Sequence, residues 1–131
     1  MKIQLQNWKV QRLNFELLRD NQNREESSFG IKKGQVFPEE DKKSFVVIFE
    51  IDLKDKDFDL NFESAFVFSL DDEITEEFKF SDFPKINAPA IAFPYLRAYI
   101  SNLTLQSGFE PRILPSINFV ALSKEDLHSM L

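Results

Sequence analysis

With 131 residues the chain has the length of one ordinary domain, 1–131, and 43% hydrophobic with 29% charged residues excludes a disordered or collagen-like polymer. Sixteen basic against 22 acidic residues give a net charge of −6, the wrong sign for coating a phosphate backbone or an anionic membrane, so no nucleic acid partner is expected. The lack of cysteine excludes disulfides and thiolate chemistry; with neither a signal-type apolar stretch after Met1 nor an apolar run of about 18 residues, the expectation is a cytoplasmic protein with no membrane insertion.

From Ile3 to Leu18 the residues alternate as in a strand, with Ile3, Leu5, Leu13, Phe15 and Leu17 on one parity and Trp8 and Val10 on the other. A strand that changes parity needs a bulge or a change of face. Arg19 to Ser28 is polar without a period and reads as an exposed connection, followed by a short extended piece, Ile31 to Phe37, that stops at Pro38. Ser44 to Leu53 and Phe58 to Leu70 alternate cleanly around the turn-like Lys54-Asp55-Lys56-Asp57, which predicts an antiparallel hairpin with one apolar face. Asp71 to Asn87 is expected to be a strand or an irregular edge.

The period then changes. Over Ala88 to Gln106, Ile91, Tyr95, Tyr99 and Asn102 form one helical stripe and Ala92, Leu96, Ile100 and Leu103 another, a face wide enough to be mostly buried. Pro89 suits a first turn, Pro94 removes a hydrogen bond within the helix, and Gly108 stands where a left-handed cap is expected. After the Pro111 to Pro115 loop, Ser123 is the expected N-cap of a last helix of at most about two turns.

Little here points to catalysis. The one histidine, His128, stands near the end, which leaves no histidine-based triad or zinc site, and Gly30, Gly34 and Gly108 make no phosphate-cradling loop. The acidic runs lack the spacing of a calcium loop. No catalytic residue, metal or cofactor is expected. Fifteen phenylalanines instead imply a thick core or apolar surface that awaits a partner.

Phe93-Pro94-Tyr95-Leu96-Arg97, continuing through Ile100 and Ser101, resembles the helix start of the SecB family, the bacterial export chaperones. Ile117-Asn118-Phe119-Val120-Ala121-Leu122 is similar to the segment before that family's last helix, and Asn14-Phe15-Glu16 and Phe62-Glu63 resemble its strand motifs. The resemblance implies an α+β fold, a four-stranded antiparallel sheet followed by two helices, assembled as a dimer of dimers. It also implies an ATP-independent holdase for unfolded preproteins, whose outer acids, here Glu16 and Glu63, bind the basic tail of the SecA motor. Arg12 stands where the family carries an acid, and Asn61 where it carries an apolar contact. These departures leave a second client class open, the antitoxin of a toxin–antitoxin pair.

Apolar side chains beside the polar connections are the expected contacts with unfolded polypeptide: Phe29 and Ile31, Phe109 and Ile113, and Leu127. From the residues alone, a small carrier of an apolar ligand, or an enzyme using a carboxylate base in such a cavity, stands as the alternative.

Overall fold

The computed structural model describes residues 2–19 and 24–125. Strands β1 (Ile3–Leu17), β2 (Ser28–Val36), β3 (Ser44–Lys54) and β4 (Phe58–Leu70) form one antiparallel sheet in the order β1-β4-β3-β2. The alternation of β3 and β4 decides which face is buried. Phe45, Val47, Phe49 and Ile51 of β3 and Phe58, Leu60, Phe62, Phe66 and Phe68 of β4 are all buried on the inner face. Across the hairpin, Phe45 lies opposite Phe68 and stacks on it with ring centroids 5.2 Å apart.

The parity change in β1 has a physical cause. Its register against β4 shifts between Leu5 and Asn7 and again between Val10 and Arg12, so Gln6 and Gln11 are extra residues at two bulges. The first bulge turns Trp8 and Val10 inward, where Trp8 stacks on Phe66 at 5.0 Å; the second returns Leu13, Phe15 and Leu17 to that face.

The segment expected to be a strand or edge, Asp71 to Asn87, is instead a short helix α1 (Glu76–Lys79) and a π-helical turn, Phe83–Asn87. Thr75 caps α1 by accepting from the Phe78 amide at 3.1 Å, and Glu76 and Glu77 occupy the positive first turn. Phe78 is buried against Phe45 and Phe83, whereas Phe80 is exposed under the Lys85 ammonium.

Helix α2 (Ala88–Gln106) follows the turn directly, contains Pro94, and ends before Gly108 at φ 96°, a left-handed conformation that favours glycine. Its Ala92, Leu96 and Ile100 stripe is buried, and Tyr99 stacks on Phe62 at 5.3 Å while its edge meets Trp8. The rest of the neighbouring stripe, to which Tyr99 belongs, is not buried. Ile91, Tyr95 and Leu105 lie exposed, which corrects the expectation of a mostly buried face. Helix α3 (Phe119–Leu122) is capped by Asn118, whose Oδ1 accepts from the Ala121 amide at 3.1 Å. Ser123 begins a 3-10 turn, Ser123–Glu125, and donates its hydroxyl to the Val120 carbonyl at 2.7 Å; the last helix expected to follow it lies outside the described residues.

Candidate functional site

A groove of about 390 Å³ opens where the start of β2 meets the loop after α2. Its apolar walls are Phe29, Leu53, Ile113, Leu114, Pro111 and Pro115. The loop is tied down at two points. The buried Thr104 hydroxyl accepts from the Arg112 amide at 2.9 Å, and the Arg112 side chain reaches Asp55, in the β3–β4 turn, with Nε 2.9 Å from Oδ1 and Nη2 2.9 Å from Oδ2. Asp55 is 2% exposed, so its charge is withdrawn from water, and the one hydrogen bond from Nη2, with the Nε charge close beside it, compensates it. Between Arg112 and Leu114, which is buried, Ile113 is turned outward and is 74% exposed.

Two of the expected contact residues, Phe29 and Ile113, thus share one groove. Ile31 lies half-buried opposite Ile51 and borders a separate polar hollow with Glu50, Asp52 and Asn61. Phe109 packs as a lid on the core, its ring 4.8 Å from Phe58 and 5.8 Å from Phe15. Leu127, like His128, lies outside the described residues. The pairing of Asp55 with Arg112 escaped sequence reading, because Asp55 sits in a run of four charged turn residues that looks solvated.

Glu16 and Glu63 both lie on the outer sheet face, opposite Asp59 and Arg12 respectively. Glu16 is exposed. Glu63 meets the Arg12 guanidinium at 3.5 Å, and the same Arg12 donates to Asn61 Oδ1 at 2.6 Å and stands 4.0 Å from Glu50. Nearby, Arg24 donates to Asp59 at 2.7 Å, and this hydrogen bond holds the Asp59 carboxyl below its ordinary pKa. The acids of this face are therefore partly answered by cations of the chain itself.

The helix motif divides between core and surface. Phe93 is buried edge-on to Phe119, whose ring also meets Phe49, while Pro94 and Tyr95 are exposed and Arg97 is half-buried. A second hollow, about 540 Å³ with Phe37 and Ile74 in its wall, is rimmed by Glu39, Asp41, Glu73 and Glu76. Among the described residues no group of three His, Cys, Asp or Glu side chains is placed to hold a metal, and no helix is long and apolar enough to cross a membrane.

The family model described as preprotein translocase subunit SecB matches residues 38–130, more than half of the chain. The protein-export protein SecB of Anaplasma phagocytophilum is 33% identical over 107 aligned residues, which cover 70% of this chain and 65% of that protein. That of Magnetococcus marinus is 49% identical over 37 residues, 28% of this chain and 24% of that protein. These matches span from about a quarter to just under two thirds of the relatives' own length. Among solved structures, the SecB-like chaperone of Mycobacterium tuberculosis, in complex with a peptide from an antitoxin, shares the fold with a TM-score of 0.67 at 18% identity, covering 88% of this chain and 90% of that one. A four-stranded antiparallel sheet followed by helices, the motif around Phe93 to Arg97 and the match over residues 38–130 agree: the chain belongs to the SecB family.

Proposed function

We propose that the protein is an ATP-independent holdase of the cytoplasm, which captures unfolded polypeptide by contact alone and carries out no chemistry of its own. One observation carries this reading: the groove in which Phe29 and Ile113 meet, with Ile113 held out to solvent by an anchored loop. An apolar side chain fixed in that exposed position supplies a partner with area to bury, which a lone mobile side chain would do at a larger entropic cost. The exposed stripe of α2 supports a homo-oligomer as well, and the proposed assembly is a dimer of dimers.

Ile113→Ser is expected to weaken capture of an unfolded client about tenfold, the worth of one buried aliphatic side chain, with an unchanged thermal midpoint. Light scattering of the aggregating client, without nucleotide, reads the first and calorimetry the second. Suppression by the variant equal to that of the parent would remove the groove from the client site. Phe109→Ser, by contrast, is expected to lower the midpoint, because that ring packs on Phe58 and Phe15.

For the recipient, Glu16 and Glu63 remain the candidate contacts for a basic SecA tail. The Arg12 contact with Glu63 favours a second reading, a chaperone dedicated to one antitoxin, and the peptide complex of the Mycobacterium tuberculosis neighbour supports it. Polypeptides that co-purify with the protein separate the two: a SecA-type motor with mixed preproteins for the first, one small antitoxin for the second.

A further inference from the structure

The hollow of about 540 Å³ lies at the other end of β3 from the groove, between the β2–β3 turn and the segment from β4 to α1. A cavity of this size is large enough for a small molecule. Main-chain hydrogen bonds tie its two walls together, from the Ile74 amide to the Lys42 carbonyl at 2.7 Å and from the Leu70 amide to the Lys43 carbonyl at 2.8 Å. Phe37, Pro38 and Ile74 give it an apolar floor. Its charged lining is Glu39, Asp41, Glu73 and Glu76 against Lys42 and Lys79, a balance of −2. The surroundings keep that sign. Residues 39–43 and 71–79 together carry eight acids against three lysines, and the next charges outward, Lys2, Asp82 and Lys85, add one positive.

Three details show what kind of cation fits. Lys79 Nζ stands over the Phe37 ring, 5.7 Å from its centroid, and donates to Glu76 Oε1 at 3.1 Å, so the fold itself seats an alkylammonium between aromatic floor and carboxylate. Ser44, in the wall, is 7% exposed, and its hydroxyl has no hydrogen-bond partner among the described residues, which leaves it to accept from a ligand N–H. Glu39 and Glu73, one in each wall, are exposed and form no ion pair among the described residues, yet no three of these acids are placed to hold a metal ion. A ligand that answers both must therefore span the hollow. We propose that it binds a linear alkyldiamine, with methylenes on Pro38 and Ile74, one ammonium at Glu39 and the other at Glu73. Its two charges cancel the balance of −2. The site is separate from the groove and does not depend on the holdase reading.

Calorimetric titration of the native protein at low salt compares three probes, 1,4-diaminobutane, magnesium ion and acetyl-lysine-amide. The diamine is expected to saturate at one per chain and to bind at least about tenfold more tightly than magnesium, which carries the same charge but keeps its water and cannot use the floor; that ratio is the worth of about two buried methylenes. It is also expected to bind at least about tenfold more tightly than acetyl-lysine-amide, which has the alkyl chain but one ammonium. The double variant Glu39→Gln, Glu73→Gln is expected to weaken the diamine at least about tenfold without moving the thermal midpoint of the free protein, since both side chains are exposed. Magnesium binding as tightly as the diamine would reduce the hollow to a diffuse acidic patch. Acetyl-lysine-amide binding as tightly would make it a site for a lysine of a polypeptide, and an unchanged affinity in the double variant would place the diamine elsewhere. Each of these results, or the lack of saturable binding, overturns the proposal.

Discussion

Arg112 and Asp55 illustrate what one pair of side chains does here. Separately, each looks like surface: Arg112 lies in a proline-flanked loop and Asp55 in a charged turn. Together they bring a loop 57 residues downstream onto the end of the β3–β4 hairpin and bury the carboxylate. Removing one member of such a pair costs far more than the pair contributes, because the survivor is left desolvated without compensation. Asp55→Asn keeps the shape and deletes the charge, so it is expected to lower stability by about 2 to 3 kcal/mol. That corresponds to a fall of about 6–10 °C in the thermal midpoint, read by calorimetry. An unchanged midpoint would mean that the loop is held by Thr104 and the prolines instead.

At the scale of the elements, β3, β4 and α2 were legible because one period dominates each of them. Phe45 to Leu53 alternates without interruption, and the Ala92, Leu96 and Ile100 stripe has helical spacing with a glycine just beyond the end. In β1 the interruption was legible, but not its being doubled: two extra residues cancel in parity, so Leu13 to Leu17 reads as though nothing had happened since Leu5. Asp71 to Asn87 defeated the pattern. Phe78, Phe80 and Phe83 fit neither period, since Phe78 and Phe83 pack inward and Phe80 points to water. Helix α3 is too short to show a period, and its start is set by Asn118, which caps it and places Phe119 between Phe93 and Phe49. Asn118→Ala is expected to cost about 1 kcal/mol and Ser123→Ala only a few tenths, as urea unfolding would show. The reverse ranking would mean that the Asn118 side chain does not cap α3. Of the groove, Phe29 and Ile113 were legible singly as apolar side chains beside polar connections. That they share one groove follows from long-range closure, which no local period encodes.

On the scale of the whole molecule, the helix layer covers the sheet with one stripe of α2 and leaves another outside. Tyr95 is 50% exposed in that stripe, and Leu17, at the β1 edge on the same face of the sheet, is 66% exposed. Apolar area of this kind on a helix flank is buried at low cost by a second copy of the same chain. The proposed assembly predicts an even-numbered oligomer, and Tyr95→Glu, which brings a charge into the stripe, is expected to raise its dissociation constant at least about tenfold. Light scattering across micromolar concentrations measures both. A parent protein that stays monomeric, or a variant whose mass does not change, removes the stripe as the interface.

The strand order β1-β4-β3-β2 also has a consequence in time. Of the strand pairs, β1 with β4 spans the longest stretch of chain, since Ile3 pairs with Leu70 and Leu17 with Phe58, and the pairing cannot close until every residue between has been made. Until then Trp8, Leu13 and Phe15 travel on a nascent chain with nothing to cover them. A protein proposed to guard the unfinished chains of others thus begins as one of them. Its single tryptophan, stacked between β4 and α2, turns the moment of closure into a change in fluorescence.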